Sequence, residues 1–107
     1  MYAGTDFTVI DVGEEDVFTF NFARGLGAGE TLSSASVAIG VNRGADPSPS
    51  SRLAGAAVVD STGTQVSQTV NMIGGIAGNL YLLTATAVTS LSRTLILWSH
   101  FPTDVPS

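Results

Sequence analysis

The sequence predicts an all-β domain, an immunoglobulin-like β-sandwich of about seven strands, and three observations carry that prediction. Apolar and polar residues alternate at period two in several runs, most clearly in Val17-Phe18-Thr19-Phe20-Asn21-Phe22-Ala23, where three phenylalanines share one face. Runs of this kind recur at intervals of ~8–12 residues between turn-forming segments, with no amphipathic helix and no internal repeat. The last third of the chain then reads as a hairpin: Leu80 to Thr89, the break Thr89-Ser90-Leu91-Ser92, and Arg93 to Phe101. A small Greek-key or OB-like barrel is the alternative fold for the same pattern.

Each element follows from its residues. Phe7-Thr8-Val9 suggests a short first strand, and Gly13-Glu14-Glu15-Asp16 is a polar turn. The phenylalanine strand comes next, and burying each ring fully is worth roughly 1.5–3 kcal/mol. Arg24 to Glu30 is a glycine-rich loop. Thr31 to Val41 alternates again, with Ala35, Val37, Ile39 and Val41 on one face and Ser34, Ser36, Ala38 and Gly40 on the other. Asn42 to Arg52 contains two prolines, a glycine and several serines, which makes it an exposed loop. Leu53 to Val59 is a strand of small residues, Asp60-Ser61-Thr62-Gly63 a turn, and Gln65 to Ile73 a strand with Val66, Val70 and Met72 on one side. The Gly-rich turn Gly74 to Asn79 delivers Tyr81 into the sixth run. Tyr81 stands two residues before Leu83, the spacing of a tyrosine corner, in which the phenol bonds to upstream backbone; an ordinary strand tyrosine at a sheet edge is the other reading. Phe18, Phe20, Phe22, Val37, Ile39, Val70, Leu83 and Trp98 are the expected core.

With 107 residues the chain suits one domain, residues 1–101, followed by an extended tail, residues 102–107. Only 12% of residues are charged, so the surface is tiled with Ser, Thr, Gly and Ala and suits coverage by neighbouring subunits. The net charge is −5, and the cations are Arg24, Arg43, Arg52 and Arg93, scattered and without lysine. Nucleic-acid binding through a basic stripe and polybasic membrane attachment are both disfavoured by that pattern. No run reaches the ~20 apolar residues of a membrane helix, and Met1 to Asp6 lacks a signal-peptide pattern, so synthesis in the cytoplasm is expected.

Catalytic and metal-binding patterns are weak. The single histidine, His100, has only Asp104 near it in the sequence, which does not make a nucleophile–base set. With no cysteine and one histidine, no zinc or copper site is expected. Glu14, Glu15 and Asp16 lack the alternating oxygen ligands of a calcium loop. Gly25-Leu26-Gly27-Ala28-Gly29 lacks the Lys-Ser/Thr of a phosphate-binding loop and leads into a strand. The expectation is a non-enzymatic protein without cofactor or metal.

Three blocks together resemble small bacteriophage virion proteins of the fiber-tail adaptor kind and their Ig-like relatives. They are Glu14 to Phe22, Gly29-Glu30-Thr31-Leu32-Ser33-Ser34-Ala35, and Gly74 to Tyr81 running on through Thr84, Thr86, Thr89-Ser90 and Arg93-Thr94. The resemblance implies a virion structural protein, present in repeated copies as a homo-oligomer, that joins tail or neck components to fibres. A capsid decoration protein is the rival within the virion. A carbohydrate-binding or hydrolytic module is the rival of another class, and it requires clustered exposed aromatics or converging carboxylates.

The irregular segments are the expected partner-binding arms. Arg43, Asp46, Pro47, Pro49 and Arg52 in the loop, and Pro102, Asp104 and Pro106 in the tail, are the candidate contacts with other virion proteins. Both segments are expected to be mobile in the free protein. Deleting residues 102–107, or replacing 45–51 by glycines, is accordingly expected to spare the fold and to weaken assembly.

Overall fold

The computed structural model describes residues 10–72 and 76–104. Within them run β1 (Ile10–Asp11), β2 (Glu15–Asn21), β3 (Leu32–Arg43), β4 (Leu53–Val59), β5 (Gln65–Asn71), β6 (Leu80–Thr89) and β7 (Thr94–Asp104). Six of these are substantial strands, and β1 has only two residues. Single 3₁₀ turns occupy Ala23–Gly25 and Pro49–Arg52. The strand expected at Phe7 to Val9 and the turn residues Gly74-Gly75 lie outside the described residues.

One sheet has the order β1-β7-β6-β3 and the other the order β2-β5-β4. All pairings are antiparallel except the short parallel contact of β1 with β7. Two separate sheets make a sandwich and not a barrel. Strands 2, 5 and 4 against 7, 6 and 3 is the strand grouping of an immunoglobulin-type domain.

Alternation decides what faces inward. On β2, Phe18 and Phe20 are buried and Val17, Thr19 and Asn21 exposed; on β6, Tyr81, Leu83, Ala85 and Ala87 are buried. Phe101 of β7 lies between the sheets, its ring centroid 5.1 Å from Phe18 and 5.1 Å from Tyr81. Phe22, Val66, Val70 and Met72 complete this core, and Val37 and Ile39 pack on it half-buried.

Trp98 is the exception among the expected core residues. It is half-buried on the outer face of β7, while Leu97, Ser99, Phe101 and Thr103 point inward. The phase of this strand was ambiguous because Ile96 and Trp98 are as apolar as Leu95 and Leu97. Packing resolves it: Leu83 stands opposite Ser99, so the core takes a large side chain against a small one, and an inward indole would overfill that position.

Of the expected tail, residues 102–104 continue β7, and residues 105–107 lie outside the described residues. Strand N–H groups alternate in direction. The Thr103 N–H turns to Asn79 O at 2.9 Å, so the missing N–H of Pro102 costs no bond to β6. Asp104 O then accepts from Val12 N at 2.8 Å, which ties this end to the segment after β1.

Candidate functional site

The two irregular segments singled out by the sequence meet at one end of the sandwich, and Asn79 joins them. Asn79 Nδ2 donates to Ala45 O at 2.9 Å, and its Oδ1 accepts from Ala45 N at 3.2 Å. The Asn79 backbone N–H donates to Thr103 Oγ1 at 3.1 Å, and that hydroxyl donates to Ile76 O at 2.8 Å. Gly44 permits the close approach: its φ is +107°, and a Cβ there would collide with the Asn79 amide.

Beneath this junction lies a buried polar cluster. Tyr81 Oη donates to Asp46 Oδ2 at 2.6 Å, Arg52 Nε donates to the same oxygen at 3.1 Å, and Ser48 N donates to Asp46 Oδ1 at 2.9 Å. The Asp46 side chain is fully covered, and that of Arg52 nearly so. The bond from Tyr81 holds the Asp46 carboxyl below its ordinary pKa, with Ser48 and Arg52 adding to the effect against the cost of burial. Burial pushes the Tyr81 phenol up, and the adjacent carboxylate pushes it further. Tyr81 therefore fills the corner position expected of it, but its hydroxyl bonds to an aspartate side chain and not to upstream backbone.

The candidate contacts consequently divide. Arg43, Pro47 and Asp104 are exposed, and Pro49 and Pro102 are half-buried. Asp46 and Arg52 are engaged inside the chain, and Pro106 lies outside the described residues. The loop expected to be mobile is tied down by Asp46 and closed by the 3₁₀ turn, in which Ser51 N donates to Ser48 O at 3.1 Å. Replacing 45–51 by glycines would remove Asp46, and deleting 102–107 would remove the buried Thr103. Each change would leave buried polar groups without partners, so both are expected to destabilise the fold.

A second polar cluster fastens the opposite end. The side chain of Glu30 is buried and accepts from Arg93 Nε at 3.0 Å, Arg93 Nη2 at 2.5 Å, Thr89 Oγ1 at 2.5 Å and Gly27 N at 2.8 Å. Arg93 Nη2 also donates to Gly25 O at 2.6 Å. These bonds, led by that from Arg93, lower the Glu30 pKa from 4.5 to about 2. The glycine loop is thus pinned to the β6–β7 hairpin, and the Gly27 N–H is taken by the chain's own carboxylate. Glu30 and Arg93 lie 63 positions apart, so no local sequence pattern marks them as a pair.

The remaining catalytic and ligand candidates stay apart. His100 faces outward, and Asp104 is four residues along the same strand, about 13 Å away at the ordinary strand rise. Among the described residues no group of three His, Cys, Asp or Glu side chains comes together to hold a metal ion. A shallow open depression of about 440 Å³ is lined by Asn42, Leu82, Thr84, Trp98 and His100. It holds one indole and no carboxylate, short of the clustered aromatics or paired acids that a sugar-binding or hydrolytic module requires.

Residues 11–96 match the protein family described as podophage GP4 fiber-tail adaptor protein gp77. No curated protein matches the chain.

Proposed function

From the premise that the chain belongs to the podophage fiber-tail adaptor family, whose signature spans residues 11–96, we propose that it is a non-enzymatic joint between the tail or neck and the fibres. It is made in the host cytoplasm and built into the virion in repeated copies. The observation that carries the reading beyond the family is the junction at Asn79. It gathers the 44–52 loop, the turn before β6 and the end of β7 into one braced surface. Preorganised loops on a rigid scaffold bind partners at a low entropic cost. Arg43, Pro47 and Asp104 are among the side chains this surface exposes, and they are the proposed contacts with fibre or tail proteins.

The test uses a triple variant, Arg43→Glu, Pro47→Ser and Asp104→Arg, in a phage whose own copy of the gene is removed. All three positions are exposed, so the purified domain should unfold within about 0.5 kcal/mol per site of the wild type. Incorporation into particles should fall at least tenfold. Particles carrying the variant at the wild-type level would overturn the assignment of this surface.

A further inference from the structure

The outer face of the β7-β6-β3 sheet carries a pattern that the adaptor reading does not use. Paired residues form four rows across it: Gly40-Leu82-His100, Ala38-Thr84-Trp98, Ser36-Thr86-Ile96 and Ser34-Val88-Thr94. None of these side chains is Asp, Glu, Lys or Arg, although the chain carries a net charge of −5. Ile96 and Val88 are 45% and 38% exposed, far more than a covered face allows. In every row β3 contributes a small residue. In three of the four, β7 contributes a bulky apolar or aromatic one.

The face is therefore a ridge lying beside a hollow. Trp98 and His100, in edge-to-face contact at 5.3 Å, form the high part of the ridge. The depression lies between this ridge and Asn42 of β3, over Leu82 and Thr84, and at Gly40, paired with Leu82, an added Cβ would meet no atom of the described residues within 4 Å.

We propose that this face binds the same face of a second copy of the chain. The inference deepens the adaptor reading, on which its place in the virion rests. A two-fold axis running along β6 between two such faces sets the β7 ridge of each copy over the β3 hollow of the other, the self-complementarity that an isologous interface requires. Charge selects the same partner. Two chains of net charge −5 repel, and the β1–β2 corner with Asp11, Glu14, Glu15 and Asp16 would place acid against acid. The ridge-and-hollow face is where identical copies meet with no Asp, Glu, Lys or Arg in its four rows.

The area sets the strength. Three strands ~4.8 Å apart and four rows ~6.8 Å apart give a footprint of about 14 by 27 Å, roughly 400 Å² on each copy. About 800 Å² in total belongs to the weak, reversible class of interface, with a Kd in the micromolar range or above. Copies held side by side in a particle would associate more firmly through their effective concentration.

The experiment is sedimentation velocity on the purified full chain from ~10 to ~500 µM, the range in which such an interface titrates. It is read together with intrinsic fluorescence, because the chain's single tryptophan lies in the proposed contact. The mass should rise from 10.9 kDa toward twice that value, and Trp98 emission should shift to shorter wavelength over the same concentrations. Ser36→Arg, at an exposed position on β3 in the row of Thr86 and Ile96, should weaken association at least a hundredfold. Val17→Arg, at an exposed position on β2 of the other sheet, should leave it unchanged. The proposal is overturned by a monomer across the whole range, by a Ser36→Arg variant that associates like wild type, or by an emission shift that appears only when a fibre protein is added. Particle incorporation of the Arg43, Pro47 and Asp104 variant is scored separately, so this inference can fail while the adaptor reading stands.

Discussion

Tyr81→Phe isolates the bond that organises the candidate partner-binding end. The substitution keeps the ring that stacks on Phe101 and removes only the hydroxyl that donates to Asp46 at 2.6 Å and accepts from Asn79 Nδ2 at 3.3 Å. Asp46 would retain Arg52 and Ser48 as partners, so the carboxylate stays compensated in part. A hydrogen bond to a charged group contributes about 1.5–3 kcal/mol, and the neighbouring donor loses a weaker bond, so a loss near 2 kcal/mol is expected. In a domain of this size that corresponds to roughly a 10 °C fall in Tm.

The assay is urea unfolding of wild type, Tyr81→Phe, Asp46→Asn and the double variant at pH 7, followed through Trp98 emission. The cycle should return a coupling of at least about 1 kcal/mol, because the two residues share one charge-assisted bond. Amide exchange in residues 44–52 should accelerate in Tyr81→Phe while β5 and β6 keep their protection, since the loop is anchored through Asp46. Additive single-variant losses, or unchanged exchange in the loop, would refute the claim that this bond braces it.

Other outcomes follow from the same structure. Phe20→Ala should cost about 3–5 kcal/mol in the same unfolding assay, because the side chain is almost wholly enclosed between the sheets. Gly44→Ala should cost about 1–3 kcal/mol for its left-handed backbone, with added loss where Asn79 must move, and would show the same accelerated exchange at 44–52. The pH dependence follows from Glu30: with its pKa lowered from 4.5 to about 2, its contribution is complete above about pH 5 and disappears as the pH falls toward 2. Asp46 and Asp60 are lowered as well and act in the same direction. Unfolding at pH 7, 4 and 2 should therefore show wild type losing stability steadily, with Glu30→Gln losing less over the same interval.

The strands were legible because alternation and turn chemistry are local. Phe18-Thr19-Phe20-Asn21-Phe22 and Val37-Ala38-Ile39 each carry their facing within a few residues, and the burial of Phe18, Phe20 and Phe22 and the partial burial of Val37 and Ile39 agree with it. Trp98 was misplaced because both faces of β7 are apolar, and its phase is set by Phe101 and Ser99 against β6, a non-local fact. The candidate binding end was only half legible. Composition located the 42–52 loop and the 102–107 tail, but their fastening uses Tyr81 to Asp46 at 35 positions and Asn79 to Thr103 at 24. A polar residue in a proline-rich loop looks solvated unless its distant partner is known. The one available hint was that a corner tyrosine buried up to its hydroxyl must find an acceptor.

The distribution of charge links the two proposed surfaces to a single measurement. Among the described residues Arg52 is enclosed against Asp46, whereas Arg93, though ion-paired with Glu30, stays half exposed, and Arg24 and Arg43 are exposed. Acid gathers at Asp11, Glu14, Glu15 and Asp16, while the outer face of β3, β6 and β7 has no Asp, Glu, Lys or Arg in its four rows. Contacts made through Arg43 and Asp104 are screened over a Debye length of about 8 Å at physiological salt, whereas apolar contacts are not. Raising salt from 0.05 to about 0.5 M should therefore weaken capture by fibre or tail proteins at the Asn79 end. Self-association through the neutral face should hold or strengthen slightly, as repulsion between two chains of net charge −5 is screened. If both associations weakened in parallel, charged groups would have to lie in both interfaces, and the division of labour between the end and the face of the sandwich would be wrong.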